Sequence, residues 1–125
     1  MSKDPLTGNV IGAAIEVHKA LGPGLLESAY QKCMEYELKQ RGLDVRREVA
    51  LPVRFKDLEL EYGYRIDLLI NDELVVETKT VEAFTEVHEA QILTYMKFGN
   101  FSKGLLLNFK VKKLADGIKR MALSS

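Results

Sequence analysis

Two acidic residues and a lysine are spaced so that they could act together on a phosphate ester. Asp67 belongs to an apolar stretch that ends at residue 70, and Glu77 and Lys79 belong to a second stretch that begins at residue 74. Both stretches are rich in the β-branched residues typical of strands. If residues 71–73 form the connecting loop, residue 70 pairs with residue 74, and Asp67 then faces Glu77 across the hairpin. A two-residue turn would shift the register by one and separate them.

Two opposed carboxylates repel each other, so they must share a proton, contact a basic group or bind a divalent metal. Carboxylate oxygens, water and substrate phosphate are the ligands that Mg²⁺ prefers. Lys79 follows Glu77 by two residues and shares its face of the strand. There it could help to deprotonate an attacking water and stabilise charge on the phosphate. Alternatively, Arg65 and Lys79 neutralise the two acids as an ion-pair network without metal.

Regular alternation also predicts which side chains accompany Asp67 on its strand. It places Arg65, Asp67 and Leu69 on one face, and Ile66, Leu68 and Ile70 on the other.

Glu27 is a further acidic candidate at the start of a predicted helix. It lies in line with Tyr30, Met34 and Leu38, which form an apolar stripe that faces the core. A carboxylate in that position either binds the metal, directly or through water, or is a helix N-terminal charge favoured by the helix dipole.

Gln91 and Tyr95 lie one turn apart on another predicted helix and share a face. They could hold a phosphate or a water, or they could be buried polar groups that satisfy each other. We place the two histidines, His18 and His88, outside the site as structural residues. Cys33 lies mid-helix and is expected to be a core residue rather than a nucleophile.

The elements that position these residues follow from hydrophobic periodicity and from turn residues. The pattern predicts a mixed sheet flanked by helices, in the order α-α-β-β-β-α-β, with an antiparallel meander formed by the first three strands. The predicted elements are a helix through Val10 and Leu21 that is stopped by Gly22-Pro23-Gly24, a helix over 26–41, strands over 45–55, 58–70 and 74–79, a helix over 85–98 and a buried strand over 104–109. Residues 113–123 fit either a helical turn followed by an edge strand or a single helix.

The length and amino-acid composition of the chain limit the classes of protein to which it can belong. With 125 residues, 46% of them hydrophobic and 29% charged, the chain is expected to form a single domain over residues 1–125. Its single cysteine excludes a disulfide framework. Because no apolar run is long enough for a membrane span or a signal peptide, we expect a cytoplasmic protein without a membrane partner.

The charge is balanced in total but not along the chain. Lysine plus arginine number 18 and so do aspartate plus glutamate, which argues against a protein that coats nucleic acid through a large basic surface. However, residues 57–89 hold ten acidic and two basic side chains, whereas residues 103–125 hold six basic and one acidic. This asymmetry is typical either of a cation site with an anionic partner or of solvated faces of opposite sign.

Several motifs in series carry a family resemblance. Gly24-Leu25-Leu26-Glu27-Ser28-Ala29-Tyr30 matches the signature G-x-x-E-x-x-Y, and residues 18–30 resemble the start of the small prokaryotic GxxExxY proteins. That family is grouped with the PD-(D/E)XK nuclease-like superfamily, whose core has the order α-β-β-β-α-β. The resemblance covers about residues 6–123 and continues through Arg65-Ile66-Asp67, Glu77-Thr78-Lys79, His88-Glu89-Ala90-Gln91, Tyr95 and the run over 104–109. Ile66 stands where the superfamily name has proline.

The resemblance implies a restriction-endonuclease-like core and a role for each matching residue. Asp67 and Glu77, with Glu27, would bind Mg²⁺ or Mn²⁺, and Lys79 would assist the attacking water. Gln91 and Tyr95 resemble the Q-x-x-x-Y element of RecB-like exonucleases, and we group Tyr30 with them as residues that bind or position substrate.

The implied function is a metal-dependent nuclease that hydrolyses phosphodiester bonds, with DNA favoured over RNA as the substrate. The alternative is a non-catalytic module that retains the fold and binds nucleic acid or a protein. Because so small a core offers little surface, a homodimer or a protein partner is also plausible.

Overall fold

The computed structural model describes residues 4–124, apart from the side chain of Tyr62. Its elements are α1 (Pro5–Leu21), α2 (Glu27–Gln40), β1 (Val45–Phe55), β2 (Leu58–Ile70), β3 (Leu74–Lys79), α3 (Glu86–Gly99), β4 (Lys103–Asn108) and β5 (Ile118–Ala122), with a 3₁₀ turn, Leu114–Gly117, before β5. The predicted α/β fold, a mixed sheet flanked by helices, is confirmed.

The strands form one five-stranded sheet in chain order. Neighbouring strands are antiparallel except β3 and β4, which are parallel. A parallel pair needs a crossover connection, and α3 supplies it. The tail forms the first of its two predicted alternatives, a helical turn followed by an edge strand.

Two apolar layers cover the two faces of the sheet. Helices α1 and α2 pack on one face through residues such as Val10, Met34 and Leu38, and α3 packs on the other through Ile92 and Met96. Strands β3 and β4 lie between these layers and are buried along almost their whole length. Their continuous apolar sequences are therefore those of strands covered on both faces.

The side chains of β2 stop alternating regularly between the two faces of the sheet at Asp67. Leu68 packs in the α1–α2 layer, whereas Ile66 packs with Leu69 in the α3 layer. The predicted grouping of Ile66 with Leu68 is therefore wrong. Glu48, the β1 residue opposite Asp67 in this register, has a left-handed φ of 58°. The break in the alternation of β2 thus lies opposite a locally distorted residue of β1.

Over residues 4–124, no helix is both long enough and apolar enough to cross a membrane.

Candidate active site

Asp67 and Glu77 meet where β2 and β3 separate. The predicted pairing of Ile70 with Leu74 is observed, and the ladder runs on as far as Leu68 and Val76. Beyond it, the amide nitrogen of Asp67 donates a 2.8 Å hydrogen bond to Glu77 Oε2. The carboxylate of Asp67 in turn accepts hydrogen bonds from the amide nitrogen (2.9 Å) and the hydroxyl (3.2 Å) of Thr78. The two acids therefore continue the strand pairing through their side chains. Sequence reasoning missed Thr78, whose only signal is its position between Glu77 and Lys79.

The two carboxylates share a desolvated environment. Glu77 is 2% exposed, and burial together with the charge of Asp67 raises its pKa to about 9. Burial also raises the pKa of Asp67, although hydrogen bonds from Thr78 and the charge of Lys79 act against the shift. The charge of Glu27 raises both pKa values further, so this third acid lies close to the pair.

The alternative ion-pair network does not form. Among residues 4–124, no lysine or arginine nitrogen lies within 4 Å of a carboxylate oxygen of Asp67 or Glu77. Arg65, which was expected on the same face, is exposed to solvent. The charge of Lys79 still lowers the pKa of both acids, so it acts on them without direct contact.

Gln91 fixes the ammonium group of Lys79. Lys79 Nζ donates a 3.1 Å hydrogen bond to Gln91 Oε1, which joins the end of β3 to α3. The main chain of Lys79 is held as well, because its carbonyl accepts a 2.8 Å hydrogen bond from the amide of Phe109. The structure thus brings Gln91 to the predicted lysine.

Tyr95 lies on α3, one helical turn after Gln91. It is 6% exposed, and its ring stacks on Tyr64 with centroids 4.3 Å apart. Burial, followed by the charges of Glu77 and Asp67, raises its pKa to about 12. Within the described part of the chain, no hydrogen bond joins Gln91 to Tyr95, so the two do not satisfy each other.

Glu27 approaches from the opposite side, at the first residue of α2. Its Oε2 accepts a 3.3 Å hydrogen bond from the amide of Thr80, in the loop after β3. The same loop is held by Asn108, whose side chain accepts from the amide of Val81 at 3.1 Å and donates to its carbonyl at 2.7 Å. Sequence reasoning missed Asn108, although a lone amide at the end of an apolar strand is a usable signal.

Tyr30 is not brought to the acids with the other predicted residues. It is fully buried, and its hydroxyl donates to the carbonyl of Gly22 and accepts from the amide of Leu25 at 3.0 Å. Both hydrogen-bonding partners of the hydroxyl are thus main-chain groups of the loop before α2, and a role of Tyr30 in binding or positioning substrate stays a prediction. These hydrogen bonds fix the loop that leads into Glu27.

The two histidines have the structural roles that were expected. Nδ1 of His88 accepts a 3.0 Å hydrogen bond from the amide of Thr85 and so caps α3. Nε2 of His18 lies 2.8 Å from the carbonyl oxygen of Val111. Cys33 packs against the α1–α2 layer, as predicted for a core residue.

The donor set fits a divalent cation held by two carboxylates. In the described ranges, no group of three or more histidine, cysteine, aspartate and glutamate residues could by itself hold a metal ion. The predicted set of Asp67, Glu77 and Glu27 is therefore not assembled as three direct ligands. Two desolvated carboxylates with raised pKa values nevertheless require a proton or a cation. Mg²⁺ is commonly bound by one or two carboxylates, with water and phosphate completing the shell.

Together, the sheet order and the acidic pair with its lysine define an α/β fold of the restriction-endonuclease-like type. A family model of the PD-(D/E)XK nuclease superfamily matches residues 4–121, and the chain belongs to this superfamily. A search of curated proteins and a search of solved structures each gave no match. The narrower resemblance to the GxxExxY proteins rests on the motifs alone and stays a prediction.

Proposed function

We propose that this protein is a divalent-metal-dependent nuclease that hydrolyses phosphodiester bonds in DNA. Membership of the PD-(D/E)XK superfamily supports nuclease activity. The observation that carries the proposal is the desolvated pair of Asp67 and Glu77, whose pKa values are both raised, with the lysine ammonium held nearby by Gln91. Both pKa values are perturbed by desolvation and by neighbouring charges, a combination that clusters at functional sites.

In this proposal Asp67 and Glu77 hold Mg²⁺ or Mn²⁺, and Glu27 adds a third negative charge from α2. When bound, such a cation supplies Lewis-acid polarisation of the phosphate and lowers the pKa of an attacking water. Lys79, held by Gln91, stabilises the negative charge that develops on the phosphate oxygens.

Tyr95 contributes a proton donor in the same mechanism. A tyrosine hydroxyl is protonated at neutral pH, and the raised pKa of about 12 keeps Tyr95 so in more alkaline solution too, so it can donate a hydrogen bond to a phosphate oxygen. Its stacking on Tyr64 holds the ring in place.

The test is a cleavage assay with labelled single- and double-stranded DNA and RNA. The chelator-treated protein should cut DNA only after Mg²⁺ or Mn²⁺ is added. Lys79→Ala should abolish cleavage while the protein still folds, as shown by a cooperative thermal unfolding transition. Lys97→Ala, which removes an exposed lysine of α3, is the matched control and should cut like wild type. If no nucleic acid is cut with either metal, the proposal is wrong.

A second candidate is a non-catalytic module that binds nucleic acid or a protein. It is favoured by one observation, the lack of a three-ligand group among the described residues. Such a module would bind oligonucleotides but would show no turnover with any divalent metal. A homodimer or a protein partner stays a prediction from the small size of the chain.

A further inference from the structure

A basic groove lies between the C-terminal end of α1 and the segment that follows β4. Its volume is about 530 Å³. Lys19, Lys112 and Lys113 line it together with the apolar side chains of Ile15 and Leu114, and we call it the lysine groove. No acidic side chain of the described residues lines it.

The groove lysines differ from the other lysines near the C-terminus. Lys103, Lys110 and Lys119 each form a salt bridge, for example the 2.6 Å contact between Lys110 and Glu82. By contrast, within residues 4–124 no carboxylate oxygen lies within 4 Å of Lys19, Lys112 or Lys113. Three neighbouring cations without an anionic partner create a positive potential that attracts a polyanion.

The segment that carries the lysines is anchored on the core. His18, itself buried, lies within hydrogen-bond distance of the carbonyl of Val111. The ring of Phe109 stacks on Tyr30 with centroids 4.5 Å apart, and the amide of Lys110 donates a 3.1 Å hydrogen bond to Asn108. A loop that is already positioned loses less conformational entropy when it binds a ligand.

The groove leads towards the candidate active site. Pro23 lines both the lysine groove and a second depression of about 270 Å³, which Thr80 and Lys110 also line. The amide of Thr80 donates to the carboxylate of Glu27. The two depressions therefore adjoin at Pro23, and the second one reaches Thr80, the residue whose amide bonds Glu27.

We propose that the lysine groove binds a single strand of nucleic acid that leads to the candidate active site, a proposal that rests on the function proposed above. The lysines contact phosphates, whereas Ile15 and Leu114 contact a base or sugar. A depression of this size accommodates a group as large as one nucleotide, and apolar side chains can cover the face of a base only where the strand is not paired in a duplex. DNA and RNA share the phosphodiester backbone that the lysines recognise.

Binding is measured without metal, so that no cleavage occurs. The probes are fluorescein-labelled 16-nucleotide DNA and RNA, each single-stranded and as a duplex, and the readout is fluorescence anisotropy in chelator at 50 and 200 mM salt. The test variant is Lys112→Gln/Lys113→Gln. The control is Lys39→Gln/Lys97→Gln, which removes the same charge from the end of α2 and from α3.

We expect the test variant to bind single strands at least tenfold more weakly than wild type, while the control changes binding less than threefold. If two phosphate contacts are lost, the slope of log K against log salt falls by roughly 1.4 for a single strand. If the test variant loses more affinity for one of the two nucleic acids, DNA or RNA, that nucleic acid is the one the groove recognises. Equal binding of wild type and test variant, tighter binding of duplex than of single strand, or no binding by wild type would overturn the proposal.

The two proposals fail separately. Loss of binding in the test variant, combined with no metal-dependent cleavage by wild type, would support the groove and reject the nuclease. Cleavage by wild type, combined with unchanged binding in the test variant, would support the nuclease and reject the groove.

Discussion

The amide of Asp67 donates to the carboxylate of Glu77, and the carboxylate of Asp67 accepts from the amide of Thr78. Each acid thus satisfies a main-chain donor that the strand ladder leaves unpaired. Replacing either acid with alanine would leave a buried donor without an acceptor, which costs about 1–3 kcal/mol. Asn and Gln retain an acceptor oxygen, so they are the appropriate substitutions for tests of charge.

Divalent cations should stabilise the protein through the acidic pair. A cation at about 100 times its Kd adds ~2.7 kcal/mol to the free energy of unfolding, which raises the thermal midpoint by roughly 10 °C in a domain of this size. Asp67→Asn should lose most of the shift caused by Mn²⁺ or Mg²⁺, as measured by differential scanning calorimetry. Asp57→Asn, which changes an exposed acid in the β1–β2 turn, should keep it. A full shift in Asp67→Asn would contradict the proposed metal position.

The stability of the metal-free protein should fall as pH rises. Glu77 has a pKa of about 9 in the fold against a model value of 4.5, so the folded state holds a proton that the unfolded chain releases. This contribution is fully present below pH 4.5 and is lost as pH rises towards 9. Glu77→Gln is neutral at every pH, so we expect it to be more stable than wild type at pH 8 and similar to it at pH 4.5.

Chemical unfolding in chelator at several pH values measures this difference. Glu61→Gln, which changes an exposed carboxylate of β2, is the control and should follow wild type. A free energy of unfolding for Glu77→Gln that tracks wild type over the whole range would show that Glu77 does not hold a proton in the fold.

Gln91 should act as a positioning residue for Lys79. Hydrogen bonds to charged groups contribute about 1.5–3 kcal/mol, so Gln91→Ala should lower kcat roughly tenfold or more. KM should change little, because the side chain bonds the lysine and not the substrate. The same substitution at Gln40, an exposed residue at the end of α2, should leave both constants unchanged. A rise in KM without a fall in kcat would assign Gln91 to substrate binding instead.

Tyr30 should contribute to stability through its hydroxyl. Tyr30→Phe leaves the carbonyl of Gly22 and the amide of Leu25 without their partner. Urea unfolding should therefore show a loss of about 1–3 kcal/mol. Tyr36→Phe is the control, because Tyr36 lies on the same helix and is 67% exposed. Equal stability of the two variants would mean that water replaces the lost hydroxyl.

Much of the fold could be predicted because local patterns agree with the tertiary structure. The bounds of the first three strands were predicted to the residue, since turn residues interrupt the apolar runs sharply. The three-residue loop over 71–73 gave the register of Ile70 with Leu74, and this register brought Asp67 to Glu77. The acidic pair was therefore accessible from the sequence.

Other features depend on contacts that no local pattern records. The break in the alternation at Asp67 lies opposite Glu48, which has a left-handed φ that glutamate rarely adopts and that the sequence therefore does not predict. As a result, Ile66 was assigned to the wrong layer. Tyr30 was predicted from the motif to bind or position substrate, whereas the hydrogen bonds of its hydroxyl to Gly22 and Leu25 are properties of the folded loop.

The parallel pairing of β3 with β4 places Lys79 beside Asn108 at one edge of the sheet. Because parallel strands end at the same edge, the loop after the acids and the loop after β4 are neighbours there although about 30 residues separate them. The second loop contributes no acidic side chain to the pair. Its side chains can therefore vary without altering the two carboxylates, provided that the amide of Phe109 still reaches the carbonyl of Lys79.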